Sequence, residues 1–303
     1  MVVLLGFLAA LVAAFSWAVS AAFYKIGTKD ISPILSNYIR ILLPLLIFGL
    51  FCLVFNLYAF IIFLTVWDLL LIFLSGLLAF VIGDVLYFVT IQRIGISRGV
   101  PVTSIYPFFV LLIQILFLTQ PIHLLMIPAV ALTVIGVAII GRQLETNSEN
   151  SDVLDKRRLW IGLAAGVATA FTWSISTFLL DALLDTINLF LIAVMRLTFA
   201  TAIMTPFVLG RQVVWGHPSL AQRHWIYLSI GGTIALAIGY VGFALSLQLV
   251  DITSATVLSS LTPLFALVIG WRSLKERVNL WTVTGVVTCV TGIILIAIAV
   301  SLA

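Results

Sequence analysis

The amino-acid sequence predicts an all-α polytopic membrane protein with ten transmembrane helices arranged as two inverted five-helix repeats. Hydrophobic residues make up 63% of the chain and charged residues only 9%, so too little polar surface remains to cover a soluble domain. The apolar residues fall in runs of about 20, long enough as helices to cross a hydrocarbon core of about 30 Å. The strict alternation of polar and apolar residues that is typical of a β-barrel is absent from these runs.

The chain also repeats itself without a gap at an offset of 156 positions. Residues 14–17 read Ala-Phe-Ser-Trp, residues 170–173 read Ala-Phe-Thr-Trp, and Arg40 aligns with Arg196. Further pairs at this offset are Gly6 and Gly162, Ser20 and Ser176, Gly76 and Gly232, Gln92 and Gln248, and Pro107 and Pro263. Because each repeat carries an odd number of hydrophobic spans, the two copies are predicted to cross the membrane in opposite directions, an arrangement typical of secondary transporters.

The hydrophobic runs define spans 1 to 5 in the first repeat and spans 6 to 10 in the second. Spans 1 to 5 are predicted at residues 3–24, 33–55, 69–91, 100–119 and 123–141. Spans 6 to 10 are predicted at residues 159–180, 187–209, 225–247, 254–271 and 279–301. The sequence therefore divides into a first repeat at 1–141, a polar linker at 142–158 and a second repeat at 159–303.

Individual spans carry features that predict their roles. Span 1 has no basic segment before it and no small-residue cleavage site, so we expect a membrane helix rather than a cleaved signal peptide. Pro107 in span 4 and Pro263 in span 9 each remove a backbone hydrogen bond, which predicts a bend at matched points of the two repeats. Spans 3 and 8 contain glycines that allow neighbouring helices to approach closely, namely Gly76, Gly83, Gly232, Gly239 and Gly242.

The distribution of charge predicts the orientation. All but two of the 15 Lys and Arg residues lie in the linker or in loops on the same side as the linker. The opposite loops carry acidic residues only, namely Asp68, Asp181, Asp185 and Asp251. Since Lys and Arg accumulate in cytoplasmic loops, we expect a cytoplasmic linker, both termini outside, and a multi-pass location in the plasma membrane.

A short motif recurs in the fourth and fifth spans of each repeat. In the second repeat it reads Thr262-Pro263-Leu264, then Leu274-Lys275-Glu276-Arg277, then Gly285 and Gly292; in the first it reads Tyr106-Pro107-Phe108, then Gln120-Pro121, then Gly136. With an aromatic-rich first helix, an Arg in the second and a small-residue third in each half, the whole chain resembles the drug/metabolite transporter superfamily, and within it the EamA-type ten-helix transporters. Gln120 stands where that family more often has Glu. The resemblance implies an exporter of small organic metabolites.

Three charged residues lie inside spans. An Arg near the bilayer centre costs at least ~2.5 kcal/mol, so Arg40 and Arg196 at matched points indicate a role on the substrate path. The alternative is that each bonds a helix-end carbonyl group or extends to the membrane interface. Asp84, with Tyr87 on the same helix face, is a candidate proton-coupling residue; the alternative is a permanent Asp84–Arg40 pair that fixes helix packing.

Aromatic and polar residues complete the predicted substrate site. Trp17 with Ser20, and Trp173 with Ser176, recur on the first helix of each repeat and are predicted to line a cavity near the midplane. Anchoring at the membrane interface or helix packing is the alternative for these residues. The full predicted set is Trp17, Ser20, Asn37, Arg40, Tyr87, Ser104, Tyr106, Trp173, Ser176, Arg196, Tyr240 and Ser259 for substrate, with Asp84 for the proton.

These features favour a secondary transporter of small organic metabolites that works by alternating access, with proton coupling through Asp84. The chain has no phosphate-binding G-x-x-x-x-G-K-[ST] loop with which to use ATP. A translocator of lipids or lipid-linked substrates is an alternative, because an aromatic-lined cavity would also accept an acyl or prenyl chain. An intramembrane enzyme is less favoured, because no second buried Asp forms a dyad with Asp84 and no His-Glu-x-x-His zinc motif is present.

The sequence also predicts the partners. We expect a small-molecule substrate and membrane lipids, no nucleic acid, no cofactor, no metal, and a monomer or homodimer. If Arg40 and Arg196 both face the cavity, an anionic or zwitterionic substrate is favoured.

Overall fold

The computed structural model describes residues 2–118, 153–215, 220–274 and 280–301, and isolated positions between 124 and 139. Most of span 5, linker residues 142–152 and the motif residues Gln120, Pro121 and 275–277 lie outside the described residues. The described part contains eight helices that are long and apolar enough to cross a membrane, and no strand. They are Val2–Gly27, Pro33–Val54, Val66–Ile94, Ile96–Phe117, Lys156–Leu184, Leu189–Gly210, Gln222–Leu249 and Ile252–Ser273, which are spans 1 to 4 and 6 to 9.

Span 10 lies in the helix Leu280–Ser301, whose shorter apolar part is Leu280–Leu295. Beyond the spans, a short 3₁₀ helix, Leu57–Phe63, joins spans 2 and 3. The predicted all-α polytopic fold with two inverted repeats is confirmed.

The interruptions of the helices repeat at the same offset as the sequence. Span 3 passes through a π-helical segment at Leu77–Gly83, and span 8 does so at Thr233–Gly239. Span 4 is broken into Ile96–Thr103 and Tyr106–Leu118. Span 9 is broken into Ile252–Ser259 and Thr262–Leu274. Pro107 and Pro263 stand in the first turn after each break, where a missing N–H is tolerated. The helices are therefore interrupted next to the two prolines at which the sequence predicts bends.

The first helix of each repeat packs against the third helix of the other repeat. A Cβ atom added at Gly6 of span 1 would lie 2.7 Å from Cγ1 of Val250, beyond the end of span 8. In the same way, a Cβ atom at Gly162 of span 6 would lie 2.7 Å from Cγ2 of Ile94 in span 3. The glycines therefore allow these helices to touch, and the crossed packing joins the two repeats into one bundle.

Side-chain contacts bring the basic loops to one end of this bundle. Arg223, before span 8, pairs with Asp30, after span 1, at 3.4 Å. The Arg158 guanidinium donates to the Gln92 carbonyl oxygen at 3.2 Å, and the Gln92 amide donates to the Thr28 carbonyl oxygen at 3.1 Å. Four loops that the sequence predicts on one side of the membrane thus meet in space.

Two of the acidic residues at the other end act as helix caps. The Asp68 carboxylate accepts from the Thr65 backbone N–H at 2.8 Å at the start of span 3. The Asp251 carboxylate accepts from the Ser254 backbone N–H at 2.8 Å at the start of span 9. A carboxylate satisfies free N–H groups and complements the helix dipole at these positions, which gives a local reason for acidic residues on this side.

Candidate functional site: a cavity between the two repeats

A cavity of about 140 Å³ lies where the two repeats meet. Spans 1 to 4 and spans 6 to 9 all contribute to its wall, largely through residues that correspond at the 156-residue offset. All of the predicted site residues except Asn37 line it. These are Trp17, Ser20, Arg40, Asp84, Tyr87, Ser104, Tyr106, Trp173, Ser176, Arg196, Tyr240 and Ser259.

Arg40 and Asp84 form an ion pair in the wall of the cavity. The Arg40 guanidinium donates a hydrogen bond to the Asp84 carboxylate, and both side chains are about 95% buried. The guanidinium carbon also lies 5.2 Å from the Tyr24 ring centroid and 5.3 Å from that of Phe88. The alternative prediction that Arg40 extends to the membrane interface is therefore wrong. The other alternative, an Asp84–Arg40 pair, is present.

Arg196 occupies the corresponding place in the second repeat but has different partners. It is 2% exposed and donates to the Ser176 hydroxyl at 2.7 Å and to the Ser75 carbonyl oxygen at 3.2 Å. Its guanidinium carbon lies 4.7 Å from the Phe80 ring centroid and 5.7 Å from that of Tyr240. Tyr240 stands at the position that Asp84 holds in the first repeat, so this half has no carboxylate there.

Two pairs of aromatic rings form matched parts of the wall. The Trp17 and Phe243 ring centroids are 5.3 Å apart, and those of Trp173 and Tyr87 are 5.4 Å apart. The Trp17 indole N–H also donates to the Ala235 carbonyl oxygen at 3.2 Å, inside the π-helical segment of span 8. Both Trp residues thus pack inside the bundle rather than anchor it at the membrane interface.

The glycines of spans 3 and 8 make room for these indoles. A Cβ atom at Gly83 would lie 2.7 Å from Cδ1 of Trp173, and one at Gly239 would lie 2.6 Å from Nε1 of Trp17. These glycines predict close approach of neighbouring helices. The structure adds that what approaches Gly83 and Gly239 is a cavity-lining aromatic side chain.

Polar residues at the breaks of spans 4 and 9 meet across the repeats. The Tyr106 hydroxyl is hydrogen-bonded to the Ser259 hydroxyl and lies 3.3 Å from the Thr256 carbonyl oxygen, to which it donates. Ser104 lies in the turn that interrupts span 4 and is 5% exposed. The breaks therefore bring polar groups and the ends of short helices to the cavity.

Asn37 is the predicted site residue that lies elsewhere. It is fully buried, and its amide donates to the Phe80 carbonyl oxygen at 2.5 Å and lies 3.7 Å from the Met204 sulfur. It therefore joins span 2 to spans 3 and 7 instead of lining the cavity. The physical reason is the length of the side chain, because Asn37 and Arg40 lie one helical turn apart on span 2 and only the longer Arg side chain reaches the wall.

Several further residues line the cavity that the sequence did not predict, and most of them are apolar or aromatic. They include Tyr24, Phe80, Thr103, Thr177, Leu180 and Phe243. A signal for Tyr24 was available, because it lies one helical turn after Ser20 on the predicted cavity face of span 1. No comparable signal marks Phe80 or Phe243, since an aromatic residue in a hydrophobic span is common on every face.

Comparisons with known proteins match this architecture. A model of the EamA-like transporter family matches residues 4–142 and 160–298. An uncharacterized transporter from Archaeoglobus fulgidus is 26% identical over 302 residues, which are 97% of this chain and 98% of that protein. Solute carrier family 35 member G1 from Homo sapiens is 24% identical over 136 residues, which are 45% of this chain and 36% of that protein.

A solved crystal structure shares the fold at 13% sequence identity, with a TM-score of 0.68 and coverage of 98% of each chain. The family model matches both repeats and most of the chain. The chain therefore belongs to the EamA-like transporter family and is an integral membrane transporter.

Proposed function

We propose that this protein is a secondary transporter that exports small organic metabolites by alternating access to the central cavity. The observation that carries the proposal is that Arg40 and Arg196, the two intramembrane cations, line one cavity between the repeats. Buried charges in a membrane are costly, and they mark substrate and ion pathways in transporters. The export direction comes from the resemblance to EamA-type transporters.

The crossed packing of the repeats supports alternating access. Span 1 packs against span 8, and span 6 packs against span 3, so the two repeats present equivalent surfaces to one another. If the two repeats exchange conformations, a cavity that is open to one side of the membrane becomes open to the other side. The breaks at residues 104–105 and 260–261 supply matched positions where spans 4 and 9 can bend during that exchange.

The Asp84–Arg40 pair supports proton coupling. A proton that binds the Asp84 carboxylate removes its negative charge, so the ion pair opens and the Arg40 guanidinium becomes free within the cavity. Loss of that proton to the other side re-forms the pair. Coupling requires that binding of the proton changes the affinity for the substrate, and Asp84, Arg40 and Arg196 all lie in the wall of one cavity.

The size of the cavity favours small metabolites over lipids. An apolar protein cavity of about 150 Å³ holds one benzene molecule. The cavity found here, at about 140 Å³, is close to that size, which suits a compact molecule better than a long acyl chain. Within the described wall, Asp84 pairs with an Arg and not with a second carboxyl group, which favours a transporter over an aspartyl-type intramembrane enzyme.

We propose further that the protein lies in the plasma membrane with its linker in the cytoplasm and works as a monomer or homodimer. Its expected partners are a small-molecule substrate and membrane lipids, without nucleic acid or a cofactor. The arrangement of basic loops at one end of the bundle supports the orientation.

The test is transport by the purified protein in proteoliposomes. Candidate metabolites are first screened by thermal stabilisation of the protein, and uptake of the stabilising compounds is then measured with and without an imposed pH gradient. We expect accumulation that depends on the gradient, and exchange of labelled for unlabelled compound without it. Absence of both accumulation and exchange for every stabilising compound would contradict the proposed function.

A further inference from the structure

We propose that the cavity selects small organic anions with a single negative charge, which bind Arg196, and that Asp84 sets this limit by neutralising Arg40. The inference rests on the proposed transport function and specifies its substrate class.

The charges in the cavity wall add up to one uncompensated cation. Among the described residues that line the cavity, the charged side chains are Arg40, Arg196 and Asp84. Arg40 and Asp84 form an ion pair with each other, and Asp84 also attracts Arg196 without pairing with it, so the three groups together carry one net positive charge. Arg196 has no carboxylate within ion-pairing distance anywhere in the described parts of the chain. One positive charge therefore remains to attract an anion.

The surroundings of Arg196 position its charge without neutralising it. The Ser176 hydroxyl accepts from the guanidinium at 2.7 Å and donates to the Ser75 carbonyl oxygen at 2.8 Å. These acceptors are neutral, and the Arg196 Nε atom has no hydrogen-bond partner among the described residues although it is buried. A buried charge without a counter-charge is strongly destabilising, so an anion in the cavity supplies what the protein itself does not.

Guanidinium groups bind carboxylates through paired, charge-assisted hydrogen bonds, which makes a carboxylate the matching ligand group. A second negative charge on the ligand would have no free cation to pair with and would lie in the same small cavity as the Asp84 carboxylate. Like charges that are close together in a partly desolvated site repel each other more strongly than they do in water. The charge arrangement therefore disfavours dianions such as dicarboxylates or phosphate monoesters.

The remaining wall fits the apolar body of a small carboxylate. Trp17 and Trp173 line the cavity from opposite repeats, each packed against a second aromatic ring. The volume of about 140 Å³ suits a body of the size of one aromatic ring. Benzoate combines one ring with one carboxylate and is therefore the probe of choice.

The experiment compares four ring compounds that differ in charge. Benzoate (one negative charge), benzamide (neutral), benzylamine (one positive charge) and phthalate (two negative charges) are titrated into the detergent-purified, full-length protein at pH 7, and binding is followed by calorimetry. We expect benzoate to bind at least about tenfold more tightly than each of the other three, which corresponds to about 1.4 kcal/mol. Equal or tighter binding of any of the other three, or no saturable binding of benzoate, would overturn the proposal.

Two cavity variants test the assignment of the charges. Arg196→Gln should reduce benzoate affinity to that of benzamide. Arg223→Gln, which removes an exposed Arg that does not line the cavity, should leave benzoate affinity unchanged. Asp84→Asn frees Arg40 and should raise phthalate affinity to at least that of benzoate. Unchanged benzoate binding by Arg196→Gln, or unchanged phthalate binding by Asp84→Asn, contradicts the proposal.

Control measurements distinguish a loss of folding from a loss of ligand binding. Melting curves and gel filtration show whether each variant is folded, and Arg196→Lys, which keeps the charge, should retain the preference for benzoate over benzamide. If a variant fails to fold, the four-ligand comparison on the unmodified protein still decides. Because binding is measured in detergent without a gradient, a wrong charge preference refutes this inference alone, whereas absence of transport in proteoliposomes refutes the proposed function.

Discussion

At the scale of single residues, the most informative finding is that Asp84 and Arg40 are paired while both still line the cavity. The sequence left two roles open for Asp84, proton carrier or structural partner, and the geometry makes them compatible. Replacing a buried ion pair by apolar residues is often neutral or stabilising, so such a pair is weak evidence for a role in stability alone. Its place in the cavity wall favours a functional reason for its presence.

The first prediction concerns Asp84→Asn in proteoliposomes. The amide keeps the size of the side chain but cannot bind and release a proton, so we expect loss of accumulation driven by a pH gradient, while exchange without a gradient is retained. We also expect earlier melting, because breaking a buried pair leaves Arg40 without its counter-charge at a cost of ~3–5 kcal/mol.

The matched control for this variant is Asp185→Asn, which changes an exposed carboxylate outside the cavity wall and should alter neither property. Unchanged gradient-driven uptake by Asp84→Asn would refute the coupling role, and an unchanged melting temperature would refute the structural contribution of the pair.

At the scale of helices, close backbone contacts at matched glycines fix how the second and third helices of opposite repeats meet. A Cβ atom at Gly76 would lie 3.1 Å from the Arg196 Cα atom and carbonyl oxygen. A Cβ atom at Gly232 would collide with the Arg40 carbonyl oxygen, a backbone atom that cannot rotate away. The two intramembrane Arg residues are thus positioned by glycines on the facing helices.

The second prediction follows from this contact. Gly232→Ala should destabilise the protein by about 1–3 kcal/mol because it overpacks a helix interface, and should shift Arg40 in the cavity. Gly210→Ala is the matched control, since a Cβ atom there meets nothing within 4 Å. Alanine favours a helix over glycine by up to about 1 kcal/mol, so the control should be neutral or stabilising. Equal melting temperatures of the two variants would contradict the packing argument.

At the scale of the whole molecule, the loops that the distribution of Lys and Arg predicts on one side of the membrane also lie together in the structure. Arg223 reaches Asp30, and Arg158 reaches the Gln92 carbonyl group, so loops distant in sequence gather at one end. At the opposite end, Gln248 donates to the Leu184 carbonyl oxygen at 3.2 Å. This contact corresponds, at the 156-residue offset, to the one between Gln92 and the Thr28 carbonyl oxygen. The same contact at opposite ends is what an inverted repeat requires.

The third prediction assigns these ends to the two sides of the membrane. A reporter that is active only in the cytoplasm should be active when inserted near residue 150 and silent when fused after Ala303, because basic loops are retained in the cytoplasm. A reporter that is active only outside the cytoplasm, placed at the same two sites, serves as the control and should give the opposite pattern. The reverse result for both reporters would contradict the predicted orientation.

The sequence by itself determined the spans, the repeat and the positions of the two Arg residues. These features follow from local rules: a membrane helix needs about 20 apolar residues, an internal duplication is visible as a constant offset, and a charge in a hydrophobic run is conspicuous. Interruptions of spans 4 and 9 near Pro107 and Pro263 were also predictable, because a proline cannot donate a backbone hydrogen bond.

Only the tertiary structure decided which side chains meet. The different environments of Arg40 and Arg196 depend on whether Asp84 or Tyr240 approaches from a neighbouring span. Asn37 is excluded from the cavity because its short side chain ends at the Phe80 carbonyl oxygen and the Met204 sulfur. In a hydrophobic span every face looks alike in sequence, because lipid and protein interior are equally apolar. The packing of helices against each other fixes the rotation of each span, and that rotation determines which residues line the cavity.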